Sequence, residues 1–356
     1  MTRLIRVRMK PHGKKTRSAA TTHPSRKPAR PVPLVPGSVV RIVSPASAAE
    51  EQACQRGIAE LERLGYVIRK RAKPMKPDGY FAASPAQRLA EVTNALRDPR
   101  ADAVICVRGG YGSTTLLGVP CLPRALGPRP QPKLFVGYSD ITALQSFFWT
   151  QYGWPTLYGP MVAAGFDGGA DQPGGYDSAS FLNAVGTHTN GTPGAKNGRG
   201  WSIPLGGETL AAGVASGIVL GGCLTLLQTT IGTPWELDTR GAVLLLEDRG
   251  VKPYQVDRML MHLAQAGKFQ GVRGIVLGEF PDCESPDGKL SFGSGVTVRD
   301  VCRRILGALH IPVVFGAAVG HTPRAILTVP LGVRARLRAS GEGQLEILEP
   351  VVSLRK

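Results

Sequence analysis

Apolar and polar positions along the chain alternate between two periods. Short apolar runs at Val39–Val43, Tyr66–Ile68, Ala103–Val107 and Leu134–Val136 have the length and β-branched content of strands. Between them Cys54, Ile58 and Leu61, and then Leu89, Val92 and Leu96, recur at helical spacing. Gly65 closes the first of these helices and Asp98-Pro99 the second. A further stripe, Ile141, Leu144 and Phe148, runs to Gly153. Strands alternating with helices predict a parallel sheet covered on both faces.

The pattern fails from about Gly165 to Gly207, where Gly, Asp, Asn, Pro and Thr dominate. A long irregular stretch reads as a bridge between domains that lines a site. A second unit follows. Gly213–Leu220 predicts a strand, Leu224 and Leu227 a short helix closed by Gly232, and Val243–Leu246 a buried strand. Val256, Met259, Leu260 and Leu263 form a helical stripe, Val272–Leu277 a strand, and Val301, Ile305 and Leu309 another helix. Strands at Val313–Phe315, Ile326–Val329, Val333–Leu337 and Leu345–Leu348 close the chain. Their turns, Leu331-Gly332 and Gly341-Glu342-Gly343, suggest a mixed α/β domain with a small antiparallel or barrel-like part. The predicted organisation is a basic extension over 1–35, an α/β domain over 36–164, an irregular linker over 165–207 and a second domain over 208–356.

Composition changes this picture in two places. With 356 residues, 42% of them hydrophobic, the chain has material for two proper cores. The net charge of +17 invites a nucleic-acid partner, but its distribution argues against one for the folded part. Ten Lys and Arg residues and no acid precede Pro36, so more than half of the excess sits in a Pro-, Ser- and Thr-rich tail that reads as disordered. That tail is a bland extension, a nucleic-acid arm, a targeting segment or an overcalled start. It lacks the apolar core of a secretory signal, and no apolar run reaches the length of a membrane span. The six cysteines, at 54, 106, 121, 223, 283 and 302, form no C-x-x-C pair and no zinc spacing. They read as reduced, buried thiols of an intracellular protein, which predicts a cytoplasmic location.

Candidate chemistry centres on Gly137-Tyr138-Ser139-Asp140-Ile141, which follows the Leu134 strand and opens a helix. A serine on such a turn is held at the carboxyl edge of a sheet against free helix N–H groups, the setting of a nucleophile elbow. The fifth position is Ile141 in place of Gly, and a helix-capping serine is the competing reading. Strand Val243–Leu246 runs into Glu247-Asp248, which sets a carboxylate at a sheet edge, either as a site group or as a solvated loop acid. His321 follows the small-residue stretch Gly316-Ala317-Ala318-Val319-Gly320, which leaves room for a substrate or marks an ordinary surface loop. Of the other histidines, His262 reads as a helix-face residue, His310 as a helix-end residue and His188 as part of the irregular loop, while His12 and His23 lie in the tail. Arg108-Gly109-Gly110-Tyr111-Gly112 lacks the spacing of a dinucleotide loop and has no P-loop lysine. Its backbone N–H groups suit an oxyanion hole instead, and Arg108 either meets a substrate carboxylate or ties down the turn.

The order of these motifs is informative. Arg108–Gly112, Gly137–Thr142, Gly159-Pro160, Gly221-Gly222-Cys223-Leu224, Gly232-Thr233-Pro234-Trp235, Leu246-Glu247-Asp248, Asp257–Leu260 and Gly320-His321 together resemble the LD-carboxypeptidases. That serine peptidase family includes the murein tetrapeptide carboxypeptidases and the microcin C immunity proteins. The likeness runs from Pro36 to the C-terminus. It implies a flavodoxin-like parallel α/β domain carrying Ser139, a smaller mixed α/β domain carrying Glu247 and His321, and a site in the cleft between them. Ser139 matches the family nucleophile, His321 the base and Glu247 the acid, and the N–H groups of Asp140 and Gly110 the oxyanion donors. Cys223 stands where the family usually has Asn, a residue that shapes the substrate pocket.

The resemblance implies no metal and no organic cofactor, a homodimer, and a small peptide substrate. The favoured substrate is a cytoplasmic murein tetrapeptide that loses D-Ala. The runner-up is a peptidyl-nucleotide antibiotic, in which case Phe166, Tyr176, Phe181 or Trp201 would stack a nucleobase if they do not simply pack the loop. A non-catalytic protein that binds nucleic acid through its tail is the reading from another class. A conventional α/β-hydrolase shares the chain order Ser, acid, His but would carry a His-Gly-Gly oxyanion motif, which is missing here.

Overall fold

The computed structural model describes residues 30–69, 76–118, 122–186, 200–284 and 295–353. The tail before Arg30, with His12 and His23, and also Cys121 and His188 lie outside the described residues. The first half comprises β1 (Val39–Val43), α1 (Glu51–Arg63), β2 (Val67–Arg69), α2 (Pro85–Arg97), β3 (Ala103–Cys106), α3 (Leu122–Leu126), β4 (Leu134–Gly137), α4 (Thr142–Tyr152), β5 (Thr156–Tyr158) and α5 (Ser178–Ala184). The second comprises β6 (Trp201–Pro204), β7 (Glu208–Ala211), β8 (Gly213–Cys223), α6 (Leu224–Thr230), β9 (Ala242–Glu247), α7 (Pro253–Gln265), β10 (Gly274–Leu277), α8 (Val298–Leu306), β11 (Val313–Phe315), β12 (Val329–Leu331), β13 (Arg334–Ala339) and β14 (Gln344–Ile347).

The first sheet has the order β12-β5-β4-β3-β1-β2, and β1 to β5 are all parallel. Without β12 this is the flavodoxin-like order, in which the chain reverses direction between β1 and β3 and ligands bind beyond the strands' carboxyl ends. Strands β3 and β4 are buried at every residue, as a sheet covered on both faces requires. The sixth strand comes from far along the chain. Strand β12 pairs antiparallel with β5, covering an edge that would otherwise be exposed.

The second sheet has eight strands in the order β6-β14-β13-β8-β9-β10-β11-β7. Strands β8 to β11 run parallel and the outer pairs antiparallel. Its two edge strands, β6 and β7, are consecutive in the chain, joined only by Leu205-Gly206-Gly207. Eight flat strands would place those edges about 34 Å apart, whereas the link reaches about 14 Å. The sheet therefore curls, which gives the barrel-like character expected from the strand-rich C-terminus. Helices α7 and α8 bury Val256, Leu260, Val301 and Leu306 against Leu244 and Ile275 in one cluster. No helix among the described residues is long and apolar enough to cross a membrane.

Within the stretch 165–207, the described residues 165–186 and 200–207 differ from the irregular linker that the composition suggested. Phe166, Tyr176 and Phe181 are 1%, 0% and 0% exposed, with ring centroids 4.9–5.7 Å apart. The Tyr176 hydroxyl donates to Glu60 Oε1 of α1 at 2.6 Å. Phe166, Tyr176, Phe181, Ala184 and Val185 thus join the cluster that holds Phe135 and Val136 of the first sheet, and β6 belongs to the second sheet. Turn-forming residues dominate the composition here, but three irregularly spaced aromatics decide the packing. Because those three are buried among one another, none is presented to a ligand.

Candidate active site

Strand β4 delivers the chain to the elbow. Tyr138 is extended, and Ser139 takes φ +64°, a left-handed conformation that costs a non-glycine residue energy and persists only where the surroundings fix it. A 3₁₀ turn, Ser139–Ile141, then leads into α4, and no side chain caps either element. The capping role for Ser139 is therefore not what the turn provides. Ile141 is fully buried, so the fifth position of the motif faces the core. The Ser139 N–H donates to the Tyr158 hydroxyl at 3.1 Å. The Asp140 side chain turns away and accepts from the Ser113 N–H at 2.7 Å, and Ser113 Oγ donates to the Asp140 carbonyl. Burial pushes the Asp140 carboxyl above its usual range, against the pull of the Ser113 and Gly112 N–H groups.

The glycine loop lies directly against this turn. A Cβ on Gly109 would sit 2.9 Å from Ser139 Cβ and 3.0 Å from its Oγ, so only glycine allows the loop to come this close. Gly110 has φ +103°. Among the described residues, neither the Gly110 nor the Asp140 N–H donates to another backbone or side-chain group. Arg88, on α2 and fully buried, holds the loop from behind. Its Nη1 donates to Pro45 O at 2.6 Å and Gly112 O at 2.9 Å, its Nε to Ala83 O at 2.9 Å, and its Nη2 to Thr115 Oγ1 at 3.0 Å. Arg108 is exposed and donates to Ala48 O at 3.2 Å.

Glu247 ends β9 and is 0% exposed. Its Oε2 lies 2.7 Å from His321 Nδ1 and accepts the His321 backbone N–H at 3.0 Å. Its Oε1 accepts from the Tyr158 hydroxyl at 2.5 Å. A Cβ on Gly320 would lie 2.5–2.7 Å from the Glu247 carboxylate, so the residue before the histidine must be glycine for the pair to meet. The pairing with Nδ1 assigns its proton toward Glu247 and leaves Nε2 as the basic nitrogen. The His321 ring meets the edge of Tyr138, the residue before Ser139, with centroids 5.2 Å apart at 78°. Burial opposes both charges, yet their mutual attraction and hydrogen bonds prevail. Glu247 is held below its ordinary value and His321 above its own.

The fold thus brings together Ser139, the Gly110 loop and the Asp140 N–H from the first sheet with Glu247 and His321 from the second. Asp248, adjacent in sequence, points elsewhere and accepts from Thr225 N and Oγ1 at 2.9 and 2.7 Å. Cys223 is 2% exposed, pairs in register with Glu247 and donates its N–H to Thr142 Oγ1 at 3.0 Å. His262 lies on α7 beside Gln228, and His310 sits at a helix end with φ +54°. Sequence reasoning missed Tyr158 and Arg88. Tyr158 directly precedes the Gly159-Pro160 motif but lies on a three-residue strand with too little pattern to register. Arg88 immediately precedes the apolar stripe of its helix, and the periodicity gives no sign that it is buried.

The likeness to known proteins spans both units. The model of the LD-carboxypeptidase N-terminal domain matches residues 40–159, and that of the C-terminal domain matches residues 216–337. A Streptomyces coelicolor protein named as a carboxypeptidase is 37% identical over 332 residues, covering 91% of this chain and 97% of that one. A Bacillus subtilis protein named as a murein peptide carboxypeptidase is 31% identical over 315 residues, covering 87% and 92%. Among solved structures, the microcin self-immunity protein MccF in complex with glutamyl sulfamoyl guanosine superposes with a TM-score of 0.75 at 25% identity, covering 92% and 100%. With an elbow serine, a buried carboxylate–histidine pair and both domain models matched in order, the chain belongs to the LD-carboxypeptidase family of serine peptidases.

Proposed function

We propose that this enzyme releases D-Ala from murein tetrapeptides by a Ser139–His321–Glu247 triad, acting on peptides returned to the cytoplasm during wall recycling. The observation that carries the reading is the fully buried Glu247 carboxylate engaging the His321 ring from the strand end opposite the elbow. His321 Nε2 takes the Ser139 proton as Oγ attacks the scissile carbonyl carbon. The tetrahedral oxyanion is accepted by the N–H groups of Asp140 and Gly110. His321 then protonates the leaving amine of D-Ala, and water, deprotonated by the same nitrogen, hydrolyses the acyl-enzyme. Glu247 fixes the imidazole tautomer and stabilises the imidazolium. Arg108, at the exposed rim of the glycine loop, is the candidate contact for a substrate carboxylate, with Cys223 bordering the pocket.

The test is D-Ala release from L-Ala-D-Glu-meso-diaminopimelate-D-Ala by the purified protein and by Ser139→Ala. Release by the parent alone supports both substrate and nucleophile. The likeness to MccF favours one second reading, cleavage of a peptidyl-nucleotide. No D-Ala release together with hydrolysis of a peptidyl-adenylate would replace the murein reading with that one.

A further inference from the structure

We propose that Tyr158 is a positioning residue that ties the backbone of the nucleophile to the acid of the triad, a reading that rests on the proposed roles of Ser139 and Glu247. Tyr158 ends β5, beside Gly137 of β4 in the parallel register, so it stands one step from the elbow at the carboxyl edge of the first sheet. Its ring is fully buried. Its hydroxyl accepts the Ser139 N–H at 3.1 Å and donates to Glu247 Oε1 at 2.5 Å. A phenol has one proton to give, and here it goes to the carboxylate, which fixes the direction of the chain from Ser139 N–H through the hydroxyl to Glu247. The first bond joins neighbouring strand ends of the first sheet, and the second crosses to the second sheet.

Three consequences follow from this geometry. The Ser139 N–H is occupied, so it is withdrawn from the oxyanion site and the donors there are those of Asp140 and Gly110. The left-handed φ of Ser139 gains a fixed partner at its own amide, which holds a conformation that would otherwise relax. Glu247 has both oxygens satisfied, one by Tyr158 and one by His321, so its carboxylate is oriented without competition for the histidine. Burial pushes the phenol well above its ordinary range, with Glu247 and Cys223 reinforcing the shift, which keeps it a neutral donor. The other charged groups that act on His321 are Asp248, which favours its cationic form, and Arg249, which opposes it.

Tyr158→Phe keeps the ring and removes only the hydroxyl. A lost orienting bond should lower kcat about 10–100-fold while KM stays within about twofold. Glu247, deprived of one donor, becomes more basic and holds the imidazolium more firmly, so the acid limb of kcat/KM moves to higher pH. A merely structural role would not move that limb. Fluorotyrosine at 158 retains shape and hydroxyl but is the stronger donor, and it should move the limb to lower pH. It also serves if the Phe variant fails to fold. The rate of Ser139 labelling by a fluorophosphonate is read in parallel, since it needs the activated serine and no murein peptide. Labelling of the parent without D-Ala release would reject the substrate while leaving the Tyr158 effect measurable on the labelling rate. No labelling of the parent would reject the triad and this inference with it. Turnover and labelling by Tyr158→Phe within twofold of the parent, or a limb that moves with neither variant, would overturn the role assigned to Tyr158.

Discussion

Gly320 shows how narrowly single residues define this site. Any side chain there meets the Glu247 carboxylate, and the backbone already sits at φ +65°. Gly320→Ala removes no reacting group, yet it pushes the carboxylate and the histidine apart. Displacements of about 1 Å cost on the order of 10²-fold in rate, and a strained backbone position about 1–3 kcal/mol. We therefore expect kcat to fall about 100-fold with a lower melting temperature, measured by D-Ala release and thermal unfolding. Parent-like turnover would mean that Glu247 is free to move without consequence. In the sequence this glycine reads only as part of a small-residue stretch before His321, because the reason for it is a contact with a residue 73 positions earlier.

At the level of elements, the Gly109–Gly112 loop, the proposed oxyanion site, is held by a helix that supplies none of the proposed reacting groups. Helix α2 is visible from Leu89, Val92 and Leu96, and its start is marked by Ser84, whose side chain accepts from Gln87 N, and by Pro85. What the periodicity does not reveal is that Arg88 turns inward and satisfies Pro45 O, Gly112 O and Ala83 O at once. A guanidinium fork can do this and an ammonium cannot. Arg88→Lys should cost about 1–3 kcal/mol of stability, because buried carbonyls lose their donors. It should also lower kcat about tenfold as the Gly110 N–H drifts. Denaturant unfolding and turnover of the same preparation check both. Loss of stability at full kcat would show that Asp140 and Ser113 hold the loop without Arg88. The same scale explains why residues 166–186 depart from the irregular reading. Their turns were legible, whereas Phe166, Tyr176 and Phe181 lack any helical or strand period, so only their burial under α1 reveals them as core.

For the whole molecule, the site is where two sheets meet, and its charge pair links activity to stability in opposite directions. His321 is raised above its ordinary 6.5, so its stabilising contribution is complete below about pH 6.5 and is lost as pH rises through the native value. Glu247 is lowered below its ordinary 4.5, so its contribution is present above about pH 4.5 and is lost as pH falls through the native value. In the proposed mechanism the base is the neutral imidazole. The rate kcat/KM should therefore climb at a pH above 6.5, in the range where His321 stops adding stability. Urea midpoints of the parent and His321→Ala, compared across pH, should converge on that alkaline side. A midpoint difference independent of pH would sink the linkage.

From the residues alone came the longer strands and helices, the parallel arrangement of β1 to β4, the elbow at Ser139 and the family, but not α3, β5, α5, β6 or β7. The legible features are local matters: periodicity, turn chemistry and short motifs lie within a few residues of one another. What depends on tertiary structure is that β12 returns to complete the first sheet, that the second sheet curls until its edge strands are joined by three residues, and that Tyr158 meets Ser139 and Glu247, Arg88 meets Gly112 and Gly320 meets Glu247. Each of these depends on groups brought together from distant parts of the chain. A hydrogen bond or a forbidden Cβ between such groups leaves no periodic trace in the residues that form it.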